Sequence, residues 1–360
     1  MKHFNFKNLF TAITLVAALS ACKKDRIVEP IDIPAERAGV YILNQGNINA
    51  NNSTLTYFNY ATQSSTSDIF SAVNGTKLGD TGNDIKIYGS KMYIVVNVSS
   101  TIEVVDPKTT KSIKRISMLN GTAARQPRYI VFNKNKAFIS SYDGTVAVLD
   151  TASLAIEKYI TVGRNPEQMV ISNNKLYVAN SGGLDFGNPD KTVSVINLST
   201  LTETKKVEVV ANPTSIGADS YGHVYVLSNG DYKSIAAGLT IINNATDAVT
   251  LTSADLAGGY GSSIVNNGDY IYYISASNGI LVYNTKTQKV EKENFITDNT
   301  AITSPFNIAY DDINQQLFVM DAKNYATNGQ LFAFGKDGKL VKGYPITTGI
   351  TPGAVVFVNK

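Results

Sequence analysis

The sequence contains few of the residues that form covalent cross-links or hold metal ions. Its 360 residues include one cysteine, Cys22, and two histidines, His3 and His223, and they include no tryptophan. A single cysteine has no partner for an intramolecular disulfide bond and cannot form a cysteine-based metal cluster. The composition therefore excludes a disulfide framework and a cysteine-rich metal site.

The protein also has little net charge. The formal net charge is +3 at pH 7, and it falls to +1 if Lys2 and Lys7 are removed with an export signal. The lysines and arginines are scattered along the chain and do not form a stripe. Domains that bind nucleic acid carry a basic patch. We therefore predict no nucleic-acid partner.

The first 22 residues, MKHFNFKNLFTAITLVAALSAC, place an apolar run from Leu9 to Leu19 behind two lysines. The run has about half of the ~20 residues that span a bilayer, so residues 1–21 are interpreted as a signal peptide. Its end, Leu-Ser-Ala-Cys22, resembles the bacterial lipobox, in which cleavage leaves a diacylated cysteine at the new N-terminus. Cys22 is therefore the predicted lipidation site. The alternative is an ordinary secretory signal followed by an unrelated thiol.

The segment after Cys22 is polar and contains Pro30 and Pro34, with no periodic apolar face. Such a composition is typical of an extended linker. We predict that residues 22–38 form a lipidated N-terminus and a flexible tether, which holds a folded domain at 39–360 away from the membrane.

The remaining sequence is repetitive. An aromatic-led apolar run that ends in a small polar residue occurs seven times at intervals of 39 to 52 residues, beginning at Tyr41, Tyr93, Phe138, Tyr177, Tyr225, Tyr272 and Phe318. A polar loop and a second alternating strand follow each run. Units of 40 to 50 residues with four short strands are typical of propeller blades, and no segment has the sustained 3.6-residue period of a helical solenoid. We predict an all-β, seven-bladed β-propeller; the alternative, a pair of β-sandwiches, does not explain the regular spacing.

The two ends of this domain predict how the ring closes. The chain enters at Gly39 directly on a strand of the second type, whereas residues 352–358 resemble a first strand with nothing after it. Pairing the two segments would complete one blade from both ends of the chain, a Velcro closure, and would leave no open edge.

One face of the predicted ring has unusually long loops. In a blade, the turns into the first strand and the loops between the second and third strands share a face, and four of the seven loops of the latter kind exceed the length that a hairpin needs. We predict a ligand-binding site on this loop-rich face, formed by Asn44, Asn47, Asn51, Asn97, Tyr142, Asn180, Phe186, Tyr232, Asn278 and Tyr325. The alternative role of any of these asparagines is that of a turn former, since Asn tolerates positive φ.

Catalysis is not predicted. His3 leaves with the signal peptide and His223 lies in a tight turn on the opposite face, so neither supplies a general base or a metal ligand to the loop-rich face. The acidic residues near that face lack the spacing of a calcium loop; they are Asp143, Asp185, Asp190, Asp231 and Asp321. A carboxylate pair or a calcium ion assembled across blades stays open. We predict neither a cofactor nor a metal.

The lipobox, the tether, the Tyr-Val-Ala-Asn180 type of run, and Asn44-Gln-Gly-Asn47 followed by Asn52-Ser-Thr-Leu55 resemble a known group. This group comprises the surface lipoproteins with YVTN-type or YncE-like seven-bladed propellers, the DUF5074 group. Its best understood members, the BtuG-type lipoproteins, capture cobalamin at the cell surface and pass it to an outer-membrane transporter. The sequence departs from the usual pattern in having Gln45 where an acidic residue is commoner, and in lacking tryptophan.

The resemblance implies a protein that is lipid-anchored in the outer membrane, on the cell surface of a Gram-negative bacterium. It also implies a macrocyclic ligand, such as a corrinoid, and a transporter as partner. None of the family's corrinoid contacts can be assigned to a position of this sequence. Two other functions stay open: an adhesive module that binds a glycan or a protein, and a lactonase-like enzyme.

Overall fold

The computed structural model describes residues 36–259, 261 and 263–360. The predicted signal peptide, Cys22 and most of the predicted tether lie outside the described residues. Within them, the secondary structure consists of seven four-stranded antiparallel sheets, one two-stranded hairpin and one short helix. The prediction of an all-β, seven-bladed propeller is confirmed.

The first two blades follow one another along the chain. Blade 1 begins with β1 (Arg37–Asn44), β2 (Thr54–Asn59) and β3 (Ser64–Thr66), and the helix α1 (Ile69–Asn74) follows it. Blade 2 consists of β4 (Gly82–Tyr88), β5 (Lys91–Val96), β6 (Thr101–Val105) and β7 (Ser112–Ser117), and it is followed by the hairpin β8 (Leu119–Asn120) and β9 (Ala123–Ala124).

Five further blades repeat this order from the innermost to the outermost strand. Blade 3 contains β10 (Pro127–Asn133), β11 (Lys136–Ser141), β12 (Thr145–Asp150) and β13 (Ala155–Thr161). Blade 4 contains β14 (Pro166–Ser172), β15 (Lys175–Asn180), β16 (Thr192–Asn197) and β17 (Thr202–Glu208). Blade 5 contains β18 (Pro213–Ala218), β19 (His223–Ser228), β20 (Gly238–Asn243) and β21 (Ala248–Ser253). Blade 6 contains β22 (Val265–Asn267), β23 (Tyr270–Ile274), β24 (Ile280–Asn284) and β25 (Lys289–Lys292). Blade 7 contains β26 (Pro305–Asp311), β27 (Gln316–Asp321), β28 (Asn328–Phe334) and β29 (Ile346–Ile350).

The last strand, β30 (Pro352–Asn359), closes the ring. It pairs antiparallel with β1, so that Val40 lies opposite Phe357, and it is the innermost strand of blade 1 in the order β3-β2-β1-β30. The predicted Velcro closure is confirmed. Strand β1 begins at Arg37, two residues before the predicted start of the domain, and the Arg37 guanidinium forms an ion pair of 2.8 Å with Asp311 of blade 7.

The repeated aromatic residues hold neighbouring blades together. The second strands carry fully buried rings at Tyr41, Tyr93, Phe138, Tyr177 and Phe318. Each lies in a hydrophobic cluster shared by two consecutive blades; one such cluster joins Phe138 and Val148 of blade 3 to residues of β15 in blade 4. Burial of apolar surface between blades thus accounts for the aromatic repeat, and it leaves the innermost strands facing a central channel.

Candidate ligand-binding site

A cavity of about 480 Å³, here called the funnel, opens at the centre of the loop-rich face. Turns that lead into the innermost strands and loops between second and third strands line it together, as predicted, and all seven blades contribute. A second cavity of about 480 Å³ lies between the innermost strands, and Asn83, Tyr129 and Asn307 line both cavities. The funnel is therefore the mouth of the axial channel.

β-Bulges form the floor of the funnel. In six blades the innermost strand loses register with its neighbour immediately after its first residue. A bulge bends a strand and redirects its side chains, and bulges are common beside binding sites. The residues left without a register partner are Asn83, Arg128, Tyr129, Glu167, Gln168, Thr214, Phe306 and Gly353, and all except Gln168 line the funnel.

The turn before five of the six bulges has a strained backbone. The carbonyl oxygen of Gln126 accepts a hydrogen bond of 3.1 Å from the N–H of Tyr142, and that of Asn165 accepts one of 3.2 Å from Ser181. Five residues at this turn position have left-handed backbones with φ between 44° and 61°; they are Thr81, Gln126, Asn165, Asn212 and Thr351. Residues with this strain cluster at functional sites. The repeated hydrogen bond fixes the long loops to the floor.

An ion pair in the floor joins blade 3 to blade 4. The Nε of Arg128 donates a hydrogen bond of 2.9 Å to one carboxylate oxygen of Glu167, and the hydroxyl of Tyr142 donates one of 2.5 Å to the other. The Nη1 of Arg128 donates to the Asn83 side chain, and its guanidinium lies 4.6 Å from the centre of the Tyr142 ring. The Arg128 side chain is 18% exposed and that of Glu167 8% exposed.

The protonation states of this cluster follow from its surroundings. Burial opposes the charge of Arg128, but the Glu167 carboxylate and the two neighbouring tyrosines outweigh it and raise the pKa of the guanidinium. Burial, followed by the Glu167 charge, raises the pKa of Tyr142 well above its ordinary value, and burial raises the pKa of Tyr129 to about 12. At neutral pH both phenols are therefore neutral and the Arg128 guanidinium is positively charged.

Further hydrogen bonds connect the floor residues of blades 4, 6, 7 and 1 around the channel axis. The Nε2 of Gln168 donates a hydrogen bond of 2.7 Å to the hydroxyl of Ser263 in blade 6, and the N–H of Ser263 donates one of 3.2 Å to Asn307 in blade 7. The Nδ2 of Asn307 donates in turn to the carbonyl of Gly353 at 2.8 Å. This belt of polar groups separates the funnel from the lower channel.

Exposed apolar side chains surround the mouth of the funnel. Five of the large hydrophobic residues that the described chain leaves exposed line it, namely Ile48, Leu184, Phe186, Tyr232 and Tyr325. Phe186 is 76% exposed and Tyr232 60% exposed. Single exposed apolar residues are ordinary, but a cluster around a concave polar floor indicates an interaction site.

The two rim tyrosines are held by the same local construction. Asp231 precedes Tyr232 and accepts hydrogen bonds of 2.7 to 2.9 Å from the N–H groups of Lys233, Ser234 and Ile235. These bonds lower the pKa of Asp231. Asn324 precedes Tyr325 and caps its own loop in the same way. Both tyrosines have positive φ, 57° and 60°, which is rare for an aromatic residue.

The structure brings six of the predicted site residues together. Asn97 is nearly buried and donates to the carbonyl of Pro127 at 3.1 Å, and Asn47 donates to the carbonyl of Tyr325 at 2.9 Å. The six that line the funnel are Asn47, Asn97, Tyr142, Phe186, Tyr232 and Tyr325. They come from six blades and share one opening.

Four predicted site residues lie elsewhere. Asn44 and Asn180 are fully buried, and their amides hydrogen-bond to hydroxyls of the adjacent strand, so both tie strands together instead of facing a ligand. Asn51 and Asn278 are exposed turn residues with φ of 50° and 64° and do not line the funnel. The alternative role of asparagine as a turn former holds for these two.

Four residues that line the funnel are not among the predicted site residues: Arg128, Tyr129, Glu167 and Phe306. They occupy the first two positions after the repeated prolines, where the residue type changes from blade to blade. A change of residue type at an equivalent position of each repeat is the feature of the sequence that could have indicated these site residues. A sequence does not display a bulge, because a bulge is a relation between two strands.

The remaining candidate groups for chemistry lie apart from one another. His223 begins β19 on the opposite face and lies 2.8 Å from Asp219, in agreement with its predicted place. Asp143 and Asp185 form ion pairs with Arg125 and Arg164. The described residues contain no group of three or more His, Cys, Asp or Glu side chains placed to hold a metal ion. No helix among them is long and apolar enough to cross a membrane.

Two solved structures illustrate the similarity of fold. A quinonprotein alcohol dehydrogenase-like protein from Bacteroides thetaiotaomicron is 16% identical, with a TM-score of 0.65 over 89% of this chain and 78% of its own. Kuenenia stuttgartiensis hydrazine synthase is 15% identical, with a TM-score of 0.59 over 78% of this chain and 95% of that one. At such identities the likeness shows the fold alone.

No protein with a curated description is significantly similar to this sequence. Residues 38–212 match the family "Domain of unknown function (DUF5074)". The match extends from the first strand to the turn that leads into blade 5, and it includes Arg128, Tyr142 and Glu167 of the funnel. The chain is a seven-bladed β-propeller, and its first half resembles the DUF5074 family.

Proposed function

We propose that this protein is a non-enzymatic binding protein that captures a ligand in the funnel of its loop-rich face. The observation that carries the proposal is the combination of an apolar rim with a polar, hydrogen-bonded floor at one opening. Small-molecule sites are typically concave, mostly apolar and supplied with a few fixed polar groups, with volumes of about 300 to 1,000 Å³. The funnel, at about 480 Å³, has these properties.

The rim favours a broad, flat ligand. Phe186, Tyr232 and Tyr325 come from three different loops around the mouth. Phe186 lies in the long loop of blade 4, and the capped loops of blades 5 and 7 hold the two tyrosines. Aromatic anchors of this kind supply much of the binding energy at interfaces. A plate-like molecule can lie across them and insert one substituent into the funnel.

A corrinoid is the first candidate ligand. It is a broad disc rimmed with amides, which would rest on the aromatic rim while an edge amide meets the polar floor. The DUF5074 match, together with the resemblance to cobalamin-capturing lipoproteins, supports this choice. In this proposal the protein passes its ligand to an outer-membrane transporter. A glycan or a protein surface is the alternative ligand class.

The proposal that the protein is not an enzyme rests on the state of the funnel's charged groups. Glu167 is the carboxylate that lines the described part of the funnel, and Arg128 and Tyr142 occupy its two oxygens. A general base needs a free acceptor within reach of its substrate. Turnover of lactones by the purified protein would support the lactonase-like alternative instead.

Thermal-shift screening tests the binding proposal. Corrinoids, haem and soluble glycans are compared at equal concentration with the purified domain. A ligand that binds the folded state raises the melting temperature in proportion to the logarithm of its concentration over Kd. We expect a shift with corrinoids, whereas a shift with glycans alone would indicate the adhesive alternative. No shift with any class would contradict small-molecule capture.

The membrane location is a separate part of the proposal. We propose that lipid on Cys22 anchors the protein in the outer membrane, at the cell surface of a Gram-negative bacterium. Replacement of Cys22 by Ala should abolish palmitate labelling and release the protein from the membrane fraction. Labelling equal to that of the wild type would contradict it. Protease treatment of intact cells then decides which side of the membrane the domain occupies.

A further inference from the structure

The guanidinium of Arg128 has one hydrogen-bonding nitrogen that the floor does not use. Its Nε donates to Glu167 and its Nη1 to Asn83, while its Nη2 has no hydrogen-bond acceptor among the described residues. The side chain lines the funnel and keeps 18% of its surface exposed. A ligand group at the floor therefore meets a fixed N–H donor.

The same floor offers an acceptor beside this donor. The Tyr142 hydroxyl donates its proton to Glu167, so its oxygen retains the capacity to accept a hydrogen bond. The guanidinium lies 4.6 Å from the centre of the Tyr142 ring, and both side chains hydrogen-bond to the Glu167 carboxylate, so the donor and the acceptor belong to one cluster. A carboxamide, which carries both an acceptor and a donor, matches this pair.

The charged side chains of the floor sum to zero, so the floor does not attract an anion. Arg128 and Glu167 are the charged residues that line the described part of the funnel, and they neutralise each other. Both are largely buried, so solvent screens them poorly and a third charge of either sign stays uncompensated. Rejection of an unpaired charge is a general source of specificity.

We infer that the funnel floor, through Arg128, Tyr142 and Glu167, selects a neutral carboxamide group on a flat ligand and discriminates against the corresponding carboxylate. This inference rests on the proposed function, because it names the ligand group that the same site reads. Glu167 acts here as a specificity residue: it keeps Arg128 from becoming an anion receptor.

Two matched probes test the inference, 2-naphthamide and 2-naphthoate, which share a flat aromatic plate and differ in charge. Their dissociation constants are measured by ligand-observed NMR titration at neutral pH. We expect wild-type protein to bind naphthamide at least about tenfold more tightly, since an unpaired like charge at a desolvated site costs more than the corresponding 1.4 kcal/mol. Glu167→Gln, which leaves Arg128 unpaired, should reverse the preference toward naphthoate.

Two controls separate charge from other effects. Glu157→Gln removes a carboxylate from the ion pair with Lys136 on the outer strand of blade 3 and should leave both affinities unchanged. The double variant Arg128→Gln with Glu167→Gln removes both charges, so it should weaken naphthamide binding without creating a preference for naphthoate. Thermal melting of each variant confirms that the domain is folded.

The outcomes are distinguishable. Equal affinities for the two probes in wild type, or an unchanged preference in Glu167→Gln, would overturn the inference while leaving ligand capture intact. No binding of either probe to wild type would overturn the inference as well. If Tyr232→Ala also leaves the affinity of the best ligand from the thermal-shift screen unchanged, the proposed function fails with it.

Discussion

The side chain of Asn180 and the backbone of Gly163 are in direct contact where blade 3 leads into blade 4. The Oδ1 of Asn180 accepts a hydrogen bond of 3.1 Å from the N–H of Gly163, and a Cβ on Gly163 would lie 2.4 Å from the Asn180 side chain. Asn44 and Gly349 repeat the arrangement, with a hydrogen bond of 3.0 Å, where blade 7 leads into blade 1. Each asparagine therefore holds in place the backbone segment that leads into the next innermost strand, β14 or β30.

Replacement of Asn180 by Ala should destabilise the fold without changing ligand affinity. The change leaves the Gly163 N–H and the Ser194 hydroxyl without the Asn180 side chain, and each such loss of a buried hydrogen bond costs about 1 to 3 kcal/mol. The Thr192 hydroxyl keeps its hydrogen bond to Asp190. Urea unfolding measures the cost. Asn278→Gly, in an exposed turn whose φ of 64° glycine adopts without strain, is the control and should stay within about 0.5 kcal/mol of wild type. Equal stabilities for the two variants would contradict this role.

Arg128 and Glu167 should be strongly coupled in stability. Removing one partner leaves a buried charge unpaired, which costs about 3 kcal/mol, whereas removing both costs less than the sum of the single changes. The test is a double-mutant cycle of Arg128→Gln and Glu167→Gln by urea unfolding. Additive effects would show that the two side chains do not interact in solution.

The closing strand should be essential for the ring. Deletion of residues 352–360 removes β30, which leaves β1 with an unpaired edge and uncovers apolar side chains such as Val40, at a cost of several kcal/mol. Calorimetric melting measures the loss. The matched control is truncation of residues 1–35, which should leave the melting temperature unchanged, because the ion pair of Arg37 with Asp311 is retained. An unchanged melting temperature after loss of β30 would disprove the closure.

Stability should fall in alkaline solution. Burial raises the pKa of Tyr129 and of Tyr344 to about 12, above the ordinary value of 10 that these groups regain on unfolding. A raised folded-state pKa gives stability that is complete below about pH 10 and is lost as the pH rises toward about 12. The measurement is the melting temperature from about pH 8 to about pH 11. Tyr129→Phe should reduce the slope, and a flat profile in wild type would contradict the assignment.

The fold could be predicted from the sequence because its indications are local and repeated. The aromatic residue of each second strand, such as Tyr177 or Phe318, recurs at the period of a blade, and the unmatched strands at Gly39 and Pro352 imply a closed ring. Both features depend on hydrophobic pattern and turn chemistry, which a single sequence displays.

The site could be predicted only in part, since long loops reveal the face but not the floor. Asn180 and Asn97 occupy equivalent strand ends, yet only Asn97 lines the funnel, because the hydroxyls of Thr192 and Ser194 engage the side chain of Asn180. Arg128 and Glu167 come from separate blades, and they meet because two bulges direct them to a common point. Such a contact between blades depends on the register of the paired strands, which the spacing of residues along the chain does not reveal.

The most direct test of ligand capture is isothermal titration calorimetry of Tyr232→Ala and Tyr221→Ala with the best corrinoid, cyanocobalamin first. Tyr232 stands on the rim of the funnel, and Tyr221 is an exposed tyrosine in the turn between β18 and β19 on the opposite face. If the funnel is the binding site, Tyr232→Ala loses about 2 kcal/mol of binding free energy, as expected of an aromatic anchor, and Tyr221→Ala loses none. Equal affinities for the two variants would contradict the account.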